Sequence, residues 1–176
     1  MATLKYRVTF FDFWHLNSGV GSGALFDNTV VKDQELPYLP GKTIKGLLRE
    51  ICTLLDKEKS KHIFGEKDNT QAKSYFSNAT LKPEQIKYLK ANPSLIKYLF
   101  SHITQTRIDE KGVAVDNSLR TTEVVIPLEL FGEIKCDSND TELITKGLKS
   151  IKQIGLNRNR GLGRCQIEIV KDENDN

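Results

Sequence analysis

Three features of the sequence predict an α+β fold in which helices pack against an antiparallel sheet. Residues 4–13 (LKYRVTFFDF) set Tyr6, Val8 and Phe10 alternately against polar neighbours, the pattern of a half-buried strand. Immediately after Pro40-Gly41, the residues Ile44, Leu47, Leu48, Ile51, Cys52 and Leu55 recur at helical spacing, with Lys45 and Arg49 on another face. The C-terminal third then supplies strand, helix and strand again, so the chain reads strand, helix, strand, insertion, strand, helix, strand.

The elements follow in order. Thr43 or Gly41 is suited to cap the first helix. Residues 57–72 are polar and turn-rich, interrupted by Ile63-Phe64-Gly65. Residues 73–81 (KSYFSNATL) form a short strand. Residues 82–100 make two short helices divided at Asn92-Pro93, where Asn92 can cap and Pro93 can take the first helical position. Residues 103–123 are polar and irregular, and 124–136 (VVIPLELFGEIKC) form a strand interrupted by Pro127. A second amphipathic helix runs from about Thr141 to Ile154, with Leu143, Ile144, Leu148 and Ile151 inward, and Gly155 stops it. The last strand is Arg164–Val170, and residues 171–176 form an acidic tail without a stable partner. The order is the βαββαβ pattern of ferredoxin-like (RRM-like) domains, here as one domain over residues 1–170 with an insertion at about 82–123.

Bulk properties narrow the class. A length of 176 residues suits one domain, with 38% hydrophobic and 28% charged residues. No window is long and apolar enough for a membrane helix, and the opening MATLKYRVTFFDFWHL lacks the pattern of a signal peptide. Three widely spaced cysteines, none in a CxxC pair, predict reduced thiols in a cytoplasmic protein and no patterned zinc site. The net charge is +3, and the last six residues hold one lysine against three acids, so the remainder is more basic than the total. That lean favours polyanions as partners.

Two nucleotide-binding motifs are imitated and fail. Gly41-Lys42-Thr43 has the end of a P-loop, but Leu36 stands where the leading glycine belongs and Pro40 occupies the turn. Gly19-Val20-Gly21-Ser22-Gly23-Ala24 mimics a dinucleotide fingerprint, yet no helix pattern follows it. His62 and His102 sit in polar sequence and suit solvated roles, while His15 stands beside the glycine-rich bend. No Ser-His-Asp or Cys-His set can be assembled. The strongest local signal is Gly155-Leu-Asn-Arg-Asn-Arg-Gly-Leu-Gly-Arg164, which places Arg158, Arg160 and Arg164 among glycines between a helix and a strand. Glycines such as Gly161 and Gly163 let a backbone approach phosphates, and guanidinium forks grip them.

Several stretches resemble one family. Leu39-Pro40-Gly41-Lys42-Thr43-Ile44-Lys45-Gly46 resembles the helix start of the RAMP superfamily, and Gly155 to Arg164 resembles its C-terminal glycine-rich loop. Ile63-Phe64-Gly65 and Ser74-Tyr75-Phe76-Ser77-Asn78-Ala79 are similar to landmarks between them. Arg107-Ile108-Asp109 and Thr122-Glu123-Val124 are similar to the arms of its thumb-like insertion. Lys42 departs from the family's small hydroxyl residue, and Asn78 from its frequent aspartate. The chain is also short for a backbone subunit.

The resemblance is greatest to the repeated backbone subunits of type III CRISPR effectors. It implies an antiviral ribonucleoprotein subunit whose partners are CRISPR RNA, target RNA, other effector subunits and copies of itself, with no membrane. It implies an endoribonuclease in which Asp27, within Phe26-Asp27-Asn28-Thr29-Val30, cuts the paired target RNA with Mg2+ or another divalent cation. The RNA-binding residues it implies are His15, Lys42, Lys45, Arg49, Arg107, Arg120, Arg158, Arg160, Gly161, Gly163 and Arg164. Asp27 would contact metal only through water with RNA bound, so the chain has no metal site of its own. Two alternatives stay open: a RAMP subunit that only binds RNA and partners, and a metal-independent ribonuclease that processes precursor CRISPR RNA with His15 as base. A generic RNA-recognition module is a weaker reading, because the strands lack an evident stacking pair.

Overall fold

The alternation in the first strand sets the layers of the fold. In a computed structural model that describes residues 1–19, 26–65 and 73–170, β1 spans Ala2–Phe10 and buries Tyr6, Val8 and Phe10. It pairs antiparallel on one side with β7 (Glu129–Cys136) and on the other with β8 (Cys165–Val170). The short β4 (Tyr75–Phe76) extends β7, giving the sheet order β4-β7-β1-β8 with every neighbour antiparallel. The helices α1 (Gly41–Leu55) and α4 (Thr141–Ser150) cover the face that carries Val8, Leu130, Ile134 and Ile167, and they bury Ile44, Leu48, Ile144 and Leu148 against it. Cys52 lies near the carbonyl of Leu143 and Leu48 lies against Gly147, so the two helices run antiparallel. The start of α1 and the chain leaving α4 therefore share one end of the sheet.

The cap of α1 differs from expectation. Its N-cap is Pro40 and neither Thr43 nor Gly41 supplies a capping side chain; Asn78 Oδ1 instead accepts from Gly41 N at 2.9 Å. Gly41 has no alternative there, because a Cβ would lie 2.3 Å from the Phe76 carbonyl oxygen.

Residues 57–64, expected to be turns, form α2 (Lys57–Phe64), capped by Asp56 accepting from Lys59 N at 3.0 Å. Its buried face is Ser60, Ile63 and Phe64, and the polar Ser60, bonded to Thr53, hides the helical period in the sequence. The two helices foreseen over 82–100 are α3 (Pro83–Ala91) and a 3-10 turn at Pro93–Leu99. Asn92 caps backward, donating from Nδ2 to the Tyr88 carbonyl at 2.9 Å.

The segment expected to be irregular is an antiparallel hairpin. β5 (Phe100–Gln105) pairs with β6 (Arg120–Val125), from Phe100↔Val125 to Gln105↔Arg120. The strand expected over 124–136 is accordingly two strands in two sheets, broken at Pro127, which has no N–H for a ladder. The helix expected to reach Ile154 ends at Ser150. Residues beyond it pair with the approach to β8, through Ile154 N to Gly163 O and Cys165 N to Lys152 O. A hairpin of two short strands, β2 (Lys32–Asp33) and β3 (Leu36–Pro37), precedes α1. All three cysteines are free and buried.

The β5–β6 hairpin is fastened to the chain on either side of the glycine-rich bend through Glu123, which is only 6% exposed. Its carboxylate accepts from Val30 N at 3.0 Å and from Lys32 Nζ at 2.8 Å. Its backbone N–H donates to Asn28 O, and its carbonyl accepts from His15 Nδ1 at 2.6 Å. Removing this carboxylate strands a buried amide and an ammonium together. Glu123→Ala is expected to lower stability by about 3 kcal/mol in urea unfolding. Lys32→Met should cost less, its side chain being 28% exposed, and the double variant less than the sum of the two.

Candidate nucleic-acid interface

The arginine- and glycine-rich loop is held against the chain that continues β1. Leu156 N donates to His15 O, Gly163 N to Phe13 O, and Phe11 N to Arg164 O, each at 2.8–2.9 Å. Gly163 is buried with φ +72, and a Cβ would stand 2.0 Å from the Ile154 carbonyl oxygen, so this glycine is fixed by backbone packing. Gly161 differs: it is exposed, with φ +84 and open space around its Cβ position. Leu162 is buried and anchors the loop, which leaves Arg158 and Arg160 exposed in a 3-10 turn.

Arg160 Nη1 reaches Gln105 Oε1 at 3.4 Å, and Gln105 is the register partner of Arg120. The next residue, Thr121, holds Asp27. Asp27 N donates to Thr121 O at 2.9 Å, and Asp27 Oδ2 accepts from Thr121 N at 2.7 Å. The fold thus brings the loop arginines, Arg120 and the exposed Asp27 onto one surface, from three distant segments.

The other expected contacts divide. Lys42 is exposed and Lys45 half-buried in the first turns of α1, whose start packs against Phe76 and Ser77. Arg49 is exposed, but its guanidinium donates to the carbonyls of Phe64 at 2.7 Å and Gly65 at 3.3 Å, closing α2. Arg164 pairs with Asp12 (Nε–Oδ2 2.9 Å) and sits 5.8 Å from the Phe11 ring centroid. Arg107 is exposed farther along the hairpin, its N–H bonded to Ser118 Oγ. Gly19 has φ +86, while Gly21 and Gly23, like the acidic tail, lie outside the described residues.

His15 corrects an expectation. It is wholly buried, so its ring makes no contact with RNA in this conformation and offers no exposed base. Nδ1 bonds the Glu123 carbonyl, and the enclosed Nε2 has no partner among the described residues. Burial pushes its pKa down, against the raising effect of the Glu123 carbonyl.

A cleft of about 500 Å³ escaped the sequence reading. It lies beside Asp27, between Phe26, Lys32, Ile96, Phe100 and His102 over Glu123. Lys32 stands 4.2 Å over the Phe100 ring while paired with Glu123. No linear motif could reveal it, since its walls come from four segments. A separate group of His62, Asp137 and Asp140 brings its ligand atoms within 4.8 Å of one another. There His62 Nδ1 faces the buried Asp140 at 3.5 Å and Lys73 Nζ lies 2.9 Å from Nε2, a polar chain reaching from α2 to the segment before α4.

These features define an α+β protein with exposed arginines and one pinned carboxylate gathered on one surface. A model of the RAMP superfamily matches residues 9–166, and the chain belongs to that superfamily. Its fold is similar to a chain in the cryo-EM structure of Type III-B Cmr-beta bound to cognate target RNA, at 13% identity over 98% of both chains with a TM-score of 0.75. It is likewise similar to a chain of Type III-B Cmr-beta in the apo state, at 14% identity over 97% of this chain and 98% of that one, with a TM-score of 0.73. No curated protein sequence matches the chain. Among the described residues, no helix is long and apolar enough to cross a membrane.

The buried histidine gives a pH dependence with a definite sign. With its folded pKa below the ordinary 6.5, the unfolded chain takes up the proton first. The native state is then fully favoured above that value and loses stability as pH falls through it. Urea midpoints should drop between pH 7.5 and 5.5, and drop less in His15→Gln. Equal drops in both proteins would remove His15 as the cause.

Proposed function

We propose that this chain is a CRISPR RNA-binding backbone subunit of a type III effector, and that Asp27 serves cleavage of the paired target RNA. The observation that carries the reading is the shared surface: Arg160 reaches Gln105, Gln105 pairs with Arg120, and Thr121 holds Asp27. Support also comes from the similar solved chains, which belong to a type III-B assembly and in one case to its target-bound state.

The strand order supports a ferredoxin-like core. Numbering only the four core strands along the chain, the sheet reads second, third, first, fourth, with both crossover helices on one face. One continuous hydrophobic cluster supports a single domain, and the β5–β6 hairpin with α3 supplies the reduced thumb over residues 82–123.

In the chemistry proposed, the 2′-hydroxyl beside the scissile phosphate gives its proton to a solvent water and its oxygen forms a bond to phosphorus. The bond to the 5′ oxygen breaks and that oxygen takes a proton from water, leaving a cyclic phosphate and a 5′-hydroxyl. Thr121 fixes Oδ2 of Asp27 and so aims Oδ1 outward to orient that hydroxyl. A divalent cation, when bound, would neutralise charge on the phosphate. Among the described residues no three-ligand cluster includes Asp27, so the protein would contribute one oxygen, with water and phosphate oxygens providing the rest.

The rival reading, binding without cutting, draws on the same Thr121 bond, since a loop aspartate that only pins a turn would make it too. Asp27→Asn separates the two, because an amide oxygen can keep the Thr121 contact while the charge is lost. In an assembled complex with magnesium, Asp27→Asn should slow target cleavage at least about 100-fold, a few kcal/mol of barrier, and leave CRISPR RNA affinity unchanged or slightly higher. Asp33→Asn, at the exposed end of β2, should cut normally. Unimpaired cleavage by Asp27→Asn selects the binding-only reading.

Phosphate binding is tested by salt. Affinity for RNA should fall steeply with ionic strength, and Arg158→Glu with Arg160→Glu should weaken all sequences about equally and flatten the salt slope. A flat response in the parent protein counts against the interface.

A further inference from the structure

We propose that Phe11 and Phe13 form a stacking platform for unpaired RNA bases beside the arginine loop, an inference that rests on the RNA-binding reading. The two rings flank the chain that continues β1. Their neighbours Phe10 and Trp14 stack on each other inside the core, with centroids 4.5 Å apart and planes 13° from parallel. Phe11 and Phe13 are left 46% and 38% exposed, and Leu156, bonded through its N–H to His15 O, 47% exposed. A single exposed apolar side chain is ordinary. Here two aromatic rings lie within three residues, and both are fixed to the loop through their backbones, Phe11 N to Arg164 O and Gly163 N to Phe13 O.

The surroundings select the partner. Arg158 and Arg160 are exposed on that loop, and the Arg164 guanidinium already lies 5.8 Å from the Phe11 ring centroid. Gly161 adds open backbone with nothing near its Cβ position. Aromatic faces interleaved with guanidinium groups and bare backbone suit single-stranded nucleic acid, whose bases stack while its phosphates are gripped. An apolar protein partner would leave the charges of Arg158 and Arg160 unmatched. Phe11 and Phe13 continue the outward register that Lys5, Arg7 and Thr9 hold along β1.

The test measures affinity of the full chain for a labelled single-stranded RNA across a salt series, using Phe11→Ala, Phe13→Ala and the pair, with thermal unfolding as a folding control. Each single variant should weaken binding about ten-fold while leaving the salt slope unchanged, because stacking releases no counterions. Phe13→Trp should keep its affinity and show fluorescence quenched by RNA above the constant background of buried Trp14. Wild-type affinity in the alanine variants, with the parent still binding, overturns this inference and leaves the RNA-binding reading standing. Alanine variants that keep RNA affinity but lose self-association would make the rings a contact between copies and overturn it equally. A parent chain that binds no RNA at all overturns both readings.

Discussion

The carboxylate of Glu123 is the fastening on which the candidate site depends. It lies in β6, outside the main sheet, and engages the Asn28–Lys32 segment with both oxygens while its own backbone holds Asn28 and His15. A buried carboxylate is costly unless it is paired and hydrogen-bonded, and here an amide and an ammonium satisfy it together. Because these partners come from two stretches of chain, one residue, through its side chain and its backbone together, sets the hairpin, the loop before α1 and the chain that continues β1 in mutual register.

From that register follow the position of Asp27 and the shape of the cleft. Asp27 sits one residue before Asn28, and Thr121 two residues before Glu123, so the ladder around the carboxylate brings Asp27 against Thr121 through two bonds. The Lys32–Glu123 pair floors the adjacent cleft, and Lys32 also faces the Phe100 ring. An exposed carboxylate held at one oxygen is oriented without being consumed. Preorganisation of this kind is what a positioning role on RNA requires.

The arginine loop is built on a different constraint, close backbone approach. At Gly163 a left-handed φ coincides with no space for a Cβ, so the loop can fold back onto Ile154 and present Arg158 and Arg160 outward. Glycine there serves packing first, and the exposure of the arginines follows from it. The same close approach aligns Phe11 and Phe13 with the loop, joining apolar and basic groups at one edge.

Local chemistry along the chain was sufficient to determine the first strand, the helix after Pro40, the fourth helix and the arginine loop. Each is specified by a period or a composition contained within about fifteen residues. Helix α2 was hidden because Ser60 occupies a buried position, and the β5–β6 hairpin because most of its residues are polar, with burial in β6 confined to Glu123, Val124 and Val125. The split at Pro127 follows from its missing N–H, whereas the early end of α4 was decided by the pairing of Lys152 and Ile154 with the approach to β8, which overrides local propensity. Residue type marked His15, Arg49 and Arg164 as RNA contacts. Only the tertiary structure could show the first buried, the second spent on closing α2 and the third paired with Asp12, because burial and partnership are properties of neighbours in space.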